Sequence, residues 1–487
     1  MTVRRALLIT LSQSYVTLGL QFIASVIIAR LLTPEEIGVF SVAMVLTAIA
    51  NTLRDFGVVE YVVQERELNV KRLRSASLFT LLTAWSMAFV VLILAQPAAA
   101  FYRKPDVELL LSILSLNFFL LPFGSVVSAH MRRQMEFTRI ALIRLASSAV
   151  HAVTSVVMAY LGFGYFSLAW SMVLASLTHV ILVLAHRPEG FPMLPGLGEL
   201  RRVFSFGSFS SLNQLLKDQD KGAPDLVLGR LMGMDAVAYF GRASGLIDLF
   251  NRLIMQAVET VALPLLSERG RNKEGMTDPF LTSVTYLTGI AWPFYLFVAL
   301  AADPMIRVLY GNQWDAAIPV VRWLCLGEAL TVPFYLQHQV AISLGRVRRE
   351  ALRSGLILAI KLLPLLFLPT LGLEAVAAGY ACSYVAVSII NYLFLRTYCD
   401  IGLGRLWHAI RPSLLLSAIT AAPLALVAFG PTSRNLESWQ NLGISVATLG
   451  LAWLSATRLV AHPWLGDLRQ LFAGLGHVIR RGRKQDG

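Results

Sequence analysis

The stretch 76–94 reads ASLFTLLTAWSMAFVVLIL and contains no ionisable side chain. A helix of about 20 apolar residues is long enough to cross the hydrocarbon core of a bilayer. The basic residues Lys71, Arg72 and Arg74 stand just before the stretch, and such residues collect at the cytoplasmic ends of membrane helices. The stretch therefore predicts a transmembrane helix whose first end faces the cytoplasm.

The same pattern recurs along the whole chain, in which apolar residues make up 56% and charged residues 15%. Soluble domains contain about 45–50% and 25%, respectively. The predicted spans cover 6–30, 37–53, 76–94, 107–129, 140–161, 165–185, 204–232, 236–266, 282–302, 316–344, 351–371, 375–395, 412–429 and 442–459. Because these runs are too uniformly apolar for barrel strands, we predict an all-α polytopic membrane protein with about 14 transmembrane helices.

The net charge of +13 is distributed unevenly between the predicted loops. With the N-terminus taken as cytoplasmic, most Lys and Arg residues fall in the termini and the even-numbered loops, which favours both termini inside. The loop at Asn312 is then expected outside and the loop at Arg348 inside. We attribute the excess of cations to this topology and to contact with anionic membrane lipids, and we expect no nucleic-acid partner.

Two parts of the chain resemble each other. Residues 29–40 align without gaps on residues 229–240, and residues 139–162 align on residues 349–372. Chance similarity between apolar helices explains matched loop residues poorly, so the pattern favours an internal repeat of six spans.

A repeat with an even number of spans enters the membrane twice from the same side. The two halves are then related by a pseudo-two-fold axis along the membrane normal, as in transporters that bind substrate between their halves. We predict six-helix lobes over 1–200 and 201–400. Two additional helices and a basic cytoplasmic tail would occupy 401–487.

Several of the loop segments resemble those of a known family. Segment 29–40 reads ARLLTPEEIGVF, Asp55-Phe56-Gly57 closes span two, Leu161-Gly162-Phe163-Gly164 links spans five and six, and 225–233 lies in span seven. In this order and spacing they resemble the bacterial polysaccharide and oligosaccharide flippases. These belong to the multidrug, oligosaccharidyl-lipid and polysaccharide export superfamily, and the resemblance covers nearly the whole chain.

The resemblance implies two six-helix lobes plus a final helix pair in the bacterial inner membrane. It also implies translocation of undecaprenyl-pyrophosphate-linked oligosaccharide units to the outer leaflet, for exopolysaccharide, capsule or O-antigen biosynthesis. The sugar and the coupling ion stay open. We expect a monomer, with a polysaccharide polymerase and export machinery as candidate partners.

Charged residues inside predicted spans are candidates for function, because each costs several kcal/mol at the bilayer centre unless it faces a wet cavity or a partner. Span seven contains Gly222 and Pro224, which interrupt a helix. Its charges are Lys217, Asp218, Asp220, Lys221 and Asp225. An internally neutralised set and a substrate site fit this pattern about equally well.

Span eight carries Asp248, Arg252, Gln256 and Glu259 at a spacing that predicts one polar face on a regular α-helix. Arg252 could bind a phosphate with its planar fork, or it could simply neutralise the two carboxylates. Asp225, Asp248 and Glu259 are the candidates for proton or sodium coupling.

Further polar residues occur in spans one, five and eleven. His151 and Lys361 occupy equivalent repeat positions, and Arg144 precedes His151 by about two helical turns on the same side. The predicted pyrophosphate cations are Lys217, Lys221, Arg252, Lys361 and Arg144. The predicted sugar contacts are Gln13, Gln21, Tyr15, Asn213 and Gln214.

The sequence contains no nucleotide-binding loop and no metal-ligand spacing, so we expect no cofactor. A multidrug or toxin cation antiporter of the same superfamily is one alternative to a flippase. A membrane polysaccharide polymerase or ligase is another, but it needs catalytic groups on a sizeable outer loop. The predicted outer loops are short and offer mainly Asp303, Asp315 and Glu437, so we expect a transporter and not an enzyme.

Overall fold

A computed structural model describes residues 3–55, 57–65, 67–188, 191–192, 196, 222–255, 258, 276–399, 401–430 and 436–466. Within these ranges the chain is helical and contains no β-strand. It forms two compact units, Met1–Gly241 (unit 1) and Arg242–Gly487 (unit 2). The prediction of an all-α protein is therefore confirmed.

Unit 1 begins with two long helices and a short one. Its helices are α1 (Val3–Leu31), α2 (Pro34–Asp55), α3 (Val58–Gln64), α4 (Val70–Tyr102), α5 (Asp106–Leu120), α6 (Pro122–Arg133), α7 (Phe137–Tyr160), α8 (Phe166–Ala185), α9 (222–231) and the start of α10 (Met234–Phe250). Within the unit, α7 packs along both α1 and α8, and α4 packs along α5.

Unit 2 contains the rest of α10 and the π-helical turn Asn251–Met255 that follows it. Its further helices are α11 (Thr277–Leu300), α12 (Ala302–Leu309), α13 (Ala317–Thr331), α14 (Gln337–Ser343), α15 (Val347–Phe367), α16 (Leu373–Cys399), α17 (Leu403–Phe429) and α18 (Ser438–Leu459). Helix α11 packs along α17, α13 packs along α16, and α17 packs along α18.

Ten helical segments in the described ranges are long and apolar enough to cross a membrane, or eleven if the bent pair α5 and α6 forms one span. Together with that bent pair, which covers span four, they match all of the predicted spans except numbers seven, eight and eleven. Spans seven and eight lie partly outside the described residues. Span eleven is helical as α15, but the charged start of that helix makes it less apolar.

Helix α4, which contains the stretch 76–94, shows how these helices pack. Ala76, Ala84 and Ala88 are fully buried, whereas Phe89 and Ile93 are 55% and 71% exposed. Small residues at the helix interface let neighbouring backbones approach closely, and large apolar side chains are left for the lipid. The structure therefore has the surface of a multi-pass membrane protein.

Two predicted spans are broken at a proline. Helices α5 and α6 meet at Pro122 with a bend of 49°, and the 3₁₀ turn Val332–Phe334 follows α13 in span ten. Proline has no N–H to donate, and its ring pushes against the preceding helical turn. Apolar length alone does not predict these breaks.

The start of α10 packs closely on α2 within unit 1. A Cβ built on Gly38 would lie only 1.9 Å from the carbonyl oxygen of Met234. Glycine is therefore required at this position by the approach of the two backbones.

Candidate functional site

Some of the predicted site residues cannot be placed. Lys217, Lys221, Asn213, Gln214 and Glu259 lie outside the described residues, as does Gln256. The predicted substrate role of the two lysines and the coupling role of Glu259 stay predictions.

Lys361 lies in an aromatic setting inside unit 2. Its Nζ lies 5.0 Å from the ring centroid of Tyr384 and 5.9 Å from that of Tyr380. Both tyrosines are buried and belong to α16, whereas Lys361 belongs to α15. An ammonium over the face of a tyrosine is attracted by about 0.5–2 kcal/mol. The hydroxyl of Tyr384 donates a hydrogen bond of 2.6 Å to Glu328 Oε1 on α13.

Two glycines let these three helices approach each other. A Cβ on Gly327 would lie 2.6 Å from Cδ2 of Tyr384, and a Cβ on Gly379 would lie 2.9 Å from Cβ of Pro364. The first contact lets Tyr384 lie against α13 beside Glu328. The second brings α16 close to α15, one turn beyond Lys361.

The polar contacts continue to α11 and to the end of α10. The hydroxyl of Tyr295 lies 3.2 Å from Asn251 Oδ1 in a hydrogen bond, and Tyr295 is within electrostatic range of both Glu328 and Asp248. We name this set of side chains the lysine–tyrosine cluster. Its members are Asp248, Asn251, Tyr295, Glu328, Lys361, Tyr380 and Tyr384.

Asp248 and Arg252 lie on either side of a change in helix type. Arg252 is exposed and belongs to the π-helical turn, which widens the helix by about one residue per turn. The prediction of one polar face from Asp248 to Glu259 requires a regular α-helix. The π-helical turn shifts the positions of the residues that follow it around the helix axis, so this requirement is not met. Within the described ranges, no ion pair joins Arg252 to Asp248.

The predicted sugar contacts on α1 are only partly accessible. Gln21 and Tyr15 are exposed, whereas Gln13 is half-buried and its Nε2 donates a hydrogen bond of 3.0 Å to Thr17 Oγ1. Asp225 is half-buried on α9 and within electrostatic range of Tyr102 in the same unit. The structure gives these residues positions but does not bring them into one site.

Arg144 lies on a polar face of α7. His151 follows it by about two helical turns on the same side, and Ser147 and Ser148 lie between them. Among the described residues, the predicted cations Arg144 and Lys361 belong to different units. The candidate site is therefore described as two separate groups, one in each unit.

A second charged network lies where α15 begins. Glu350 Oε1 contacts His338 Nδ1 at 2.8 Å, and Arg353 donates to both carboxylate oxygens. Burial acts to raise the pKa of Glu350, but the hydrogen bonds from His338 and Arg353 outweigh it and lower the pKa to about 2. This buried network is charge-neutralised and joins α14 to α15.

Five members of the lysine–tyrosine cluster were not among the residues predicted from the sequence: Asn251, Tyr295, Glu328, Tyr380 and Tyr384. Glu328 could have been found, because it is a carboxylate in the middle of predicted span ten and intramembrane ionisable residues are functional candidates. The tyrosines carry no comparable signal, since tyrosine is common in membrane helices.

The chain is similar to proteins of polysaccharide biosynthesis. A family model described as a polysaccharide biosynthesis protein matches residues 27–319. The succinoglycan biosynthesis transport protein ExoT of Rhizobium meliloti is 27% identical over 320 residues, which cover 65% of this chain and 64% of that protein. The lipopolysaccharide biosynthesis protein WzxC of Escherichia coli is 22% identical over 472 residues, which cover 94% of each chain.

Among solved structures, the lipid II flippase MurJ in its inward closed conformation has the same fold. The TM-score is 0.74 at 12% sequence identity, and the match covers 93% of this chain and 98% of that one. At this identity the likeness concerns the fold alone. Because the family model matches more than half of the sequence, this multi-pass membrane protein belongs to the polysaccharide biosynthesis protein family.

Proposed function

We propose that this chain moves undecaprenyl-pyrophosphate-linked oligosaccharide units across the bacterial inner membrane by alternating access between two lobes. Family membership supports the substrate class, since the related proteins are named for succinoglycan transport and lipopolysaccharide biosynthesis. The activity is transport and not catalysis, in line with the names of ExoT, a transport protein, and of MurJ, a flippase.

The observation that carries the proposal is the lysine–tyrosine cluster. Lys361, Glu328 and Asp248 are ionisable groups on helices of a membrane bundle, where each costs several kcal/mol unless it faces a partner or water. Tyrosines link them in one connected set. When no substrate is bound, the tyrosine rings can hold the ammonium of Lys361. The ammonium can then leave the rings and bind a phosphate anion, because aromatic contacts are weaker than a charge-assisted hydrogen bond.

We also propose the finer architecture of fourteen spans. It comprises lobes over 1–200 and 201–400, related by a pseudo-two-fold axis, and an additional helix pair with a tail over 401–487. Local geometry supports the repeat. Pro122-Phe123 at the start of α6 and Pro333-Phe334 in the 3₁₀ turn stand within one residue of equivalent positions in the repeat.

Left-handed backbone residues recur at the same interval in the two halves. Met135 has φ 61° and Gly345 has φ 69°, whereas Gly162 has φ 85° and Gly372 has φ 101°. Three of these residues are glycines, which adopt positive φ readily, and Met135 is a non-glycine residue at a φ that such residues seldom adopt. The recurrence of both left-handed positions supports a common origin of the corresponding turns.

The orientation with both termini in the cytoplasm rests on the distribution of Lys and Arg. In a cysteine-free background, a cysteine at position 312 should react with an impermeant reagent from the periplasm and one at position 348 should not. Reaction at 348 from the periplasm would reverse the topology. A monomer working beside a polysaccharide polymerase and export machinery completes the proposal.

The transport role is tested with Arg252 and Asp248. In a strain that lacks this chain, Arg252→Gln should abolish surface polysaccharide while the amount of folded protein stays normal, since Arg252 is exposed and has no described ion-pair partner. A purely structural role would instead lower the amount of folded protein, because breaking a buried ion pair costs about 3–5 kcal/mol.

The double change Asp248→Asn with Arg252→Gln separates the two roles. A phosphate-binding role predicts normal abundance without export, whereas a structural pair predicts that both recover. Full export by the double variant would contradict the role of Arg252. Failure of the wild-type chain to restore export would contradict the proposed function itself.

A further inference from the structure

Three cationic or potentially cationic side chains converge in unit 1 from three consecutive helices. Arg132 belongs to α6, Arg144 to α7 and His179 to α8. Arg132 and Arg144 interact electrostatically with each other, and both act on His179. Ser128 precedes Arg132 by one helical turn, and its Oγ lies 3.4 Å from His179 Nε2. The same face of α6 therefore carries Ser128 and Arg132 towards α8.

Arg144 lies opposite the lipid-facing side of α7. The large exposed apolar residues of this helix are Leu142, Val153, Val157 and Tyr160. At about 100° per residue they cluster on one side, and Arg144 and His151 lie about 180° away. Arg144 is nevertheless exposed. An exposed, charged side chain on the face away from lipid lies beside water.

The same relationship holds for His179 on α8. The exposed apolar residues Trp170, Leu174 and Ile181 share one side of the helix, and His179 lies about 180° from them. Helix α7 packs along α8, so the polar faces of both helices point away from the acyl chains. Arg132, Arg144 and His179 are hereafter called the unit 1 cation group.

Within the described ranges, no carboxylate neutralises this group. Arg132 and Arg144 take part in no ion pair or hydrogen bond there. The carboxylate at the start of α7, Glu136, accepts two hydrogen bonds from Arg139 instead. Bringing like charges together at a partly desolvated position is unfavourable, and an anion from outside the chain would relieve the repulsion.

In unit 2, an arginine near the start of α15 is neutralised by a carboxylate of the chain. At the start of α15, Arg353 is paired with the buried carboxylate of Glu350, and its Nη1 also donates to Asn391 Oδ1. His338 contacts the same carboxylate at 2.8 Å. The chain therefore supplies a counter-ion to Arg353 of unit 2 and supplies none, among the described residues, to Arg132 and Arg144 of unit 1.

From this asymmetry we infer that the unit 1 cation group binds the phosphate groups of the lipid-linked substrate as it enters from the cytoplasmic side. The inference rests on the proposed function and adds a location to it. Arg144 lies about 10 Å along α7 from the start of the helix at Phe137, near the depth of a lipid headgroup. The hydroxyls of Ser147 and Ser148 and the ring of His151 continue the polar face inward.

Planar guanidinium groups suit this ligand, because they donate two parallel hydrogen bonds to phosphate oxygens. A phosphate at this depth could come from undecaprenyl diphosphate or from the headgroup of an anionic phospholipid. The isoprenoid diphosphate is the ligand proposed, and the phospholipid is tested as the competitor.

The test uses the full chain in nanodiscs of phosphatidylcholine, with radiolabelled undecaprenyl diphosphate as the probe. Arg144→Gln and Arg132→Gln should each weaken binding about tenfold or more, because each removes charged hydrogen bonds to phosphate. Arg144→Lys should lose less, since it keeps the charge and loses only the planar fork. Phosphatidylglycerol added in excess should not displace the probe.

Arg139→Gln is the matched control. It changes the same residue type on the same helix, but Arg139 is paired with Glu136 and solvent-exposed, so probe binding should stay within about twofold. Size-exclusion profiles and thermal midpoints show whether each variant is folded. If Arg144→Gln does not fold, Arg132→Gln and Arg144→Lys carry the test.

The possible outcomes separate the inference from the proposed function. Unchanged probe affinity in folded Arg132→Gln and Arg144→Lys overturns the inference, as does displacement of the probe by phosphatidylglycerol with the same sensitivity to these variants. In both cases the wild-type chain still restores polysaccharide export, and only the assignment of the entry site is wrong. If the wild-type chain restores no export, the proposed function fails, whatever the probe binding shows.

Discussion

The hydroxyl of Tyr384 on α16 donates a hydrogen bond of 2.6 Å to Oε1 of Glu328 on α13, and the two residues are 56 positions apart in the chain. The ring of the same tyrosine lies below the ammonium of Lys361. One neutral side chain thus contacts a cation through its face and an anion through its hydroxyl. This arrangement keeps the two charges within the bundle and connects them without requiring a direct ion pair.

Tyr384→Phe isolates the hydroxyl contribution. The variant keeps the ring over Lys361 and removes the donor to Glu328, so the free energy of unfolding should fall by about 1.5–3 kcal/mol, the range for a hydrogen bond to a charged group. Thermal unfolding of the purified chain measures the change. Tyr392→Phe on the same helix is the control, because Tyr392 has no described hydrogen bond. Equal effects of the two variants would contradict the role of Tyr384.

The Glu350 network should respond much more strongly to substitution than the exposed Glu136–Arg139 pair of unit 1. Glu350→Gln leaves Arg353 without its buried carboxylate and should destabilise the chain by about 3–5 kcal/mol. Glu136→Gln removes the partner of the exposed Arg139 and should cost about 0–1 kcal/mol. Denaturant unfolding in detergent compares the two variants. Similar midpoints would show that the Glu350 network contributes little.

His462 should make the attachment of the last two helices dependent on pH. His462 is buried beyond the end of α18, and its Nε2 lies 3.1 Å from Ser413 Oγ on α17. Burial lowers the pKa of His462, although a hydrogen bond with the backbone of Thr285 opposes this. The folded state therefore holds the neutral ring.

Because the folded pKa is below the ordinary value of about 6.5, the unfolded state takes up the proton first as the pH falls. Stability is complete above about pH 6.5 and decreases below it, so the thermal midpoint should drop between about pH 7.5 and pH 5.5. His462→Gln should flatten this dependence, whereas His408→Gln, at an exposed position on α17, should not. An unchanged slope in His462→Gln would refute the prediction.

Gly38→Ala tests the close approach of α2 and α10. The added Cβ would lie 1.9 Å from Met234 O, so the backbone of one helix must move, and overpacking of this kind costs about 1–3 kcal/mol. Gly245→Ala on α10 meets no atom within 4 Å and should be neutral or stabilising, since alanine favours helix by about 1 kcal/mol. Thermal midpoints of the two variants give the comparison. A tolerated Gly38→Ala would mean that the helices separate easily.

Part of the candidate site could be predicted from the sequence. Arg144 and Lys361 stand out in the sequence because a charge in an apolar run is unusual wherever the run folds. His179 does not stand out, since a single histidine in a helix bundle is usually a packed residue. Its importance depends on Arg132 and Arg144, which come from two other helices.

The sequence alone determined the all-α class and the order of the apolar helices. Insertion into a bilayer depends on the length and composition of one continuous run, so each span is a local property of the chain. The alternation of basic loops is local in the same way and predicts the topology.

Only the tertiary structure decided which charges have partners. Lys361 and Arg353 lie on the same helix, yet one contacts tyrosine rings and the other a buried carboxylate. Tyr380 and Tyr384 belong to α16, whereas Glu350 lies one turn before Arg353 on α15 and also contacts His338 of α14. The bend at Pro122 and the 3₁₀ turn at Pro333 further alter how helices meet. Electrostatic pairing depends on distance in space, which the spacing of residues along a single helix does not determine.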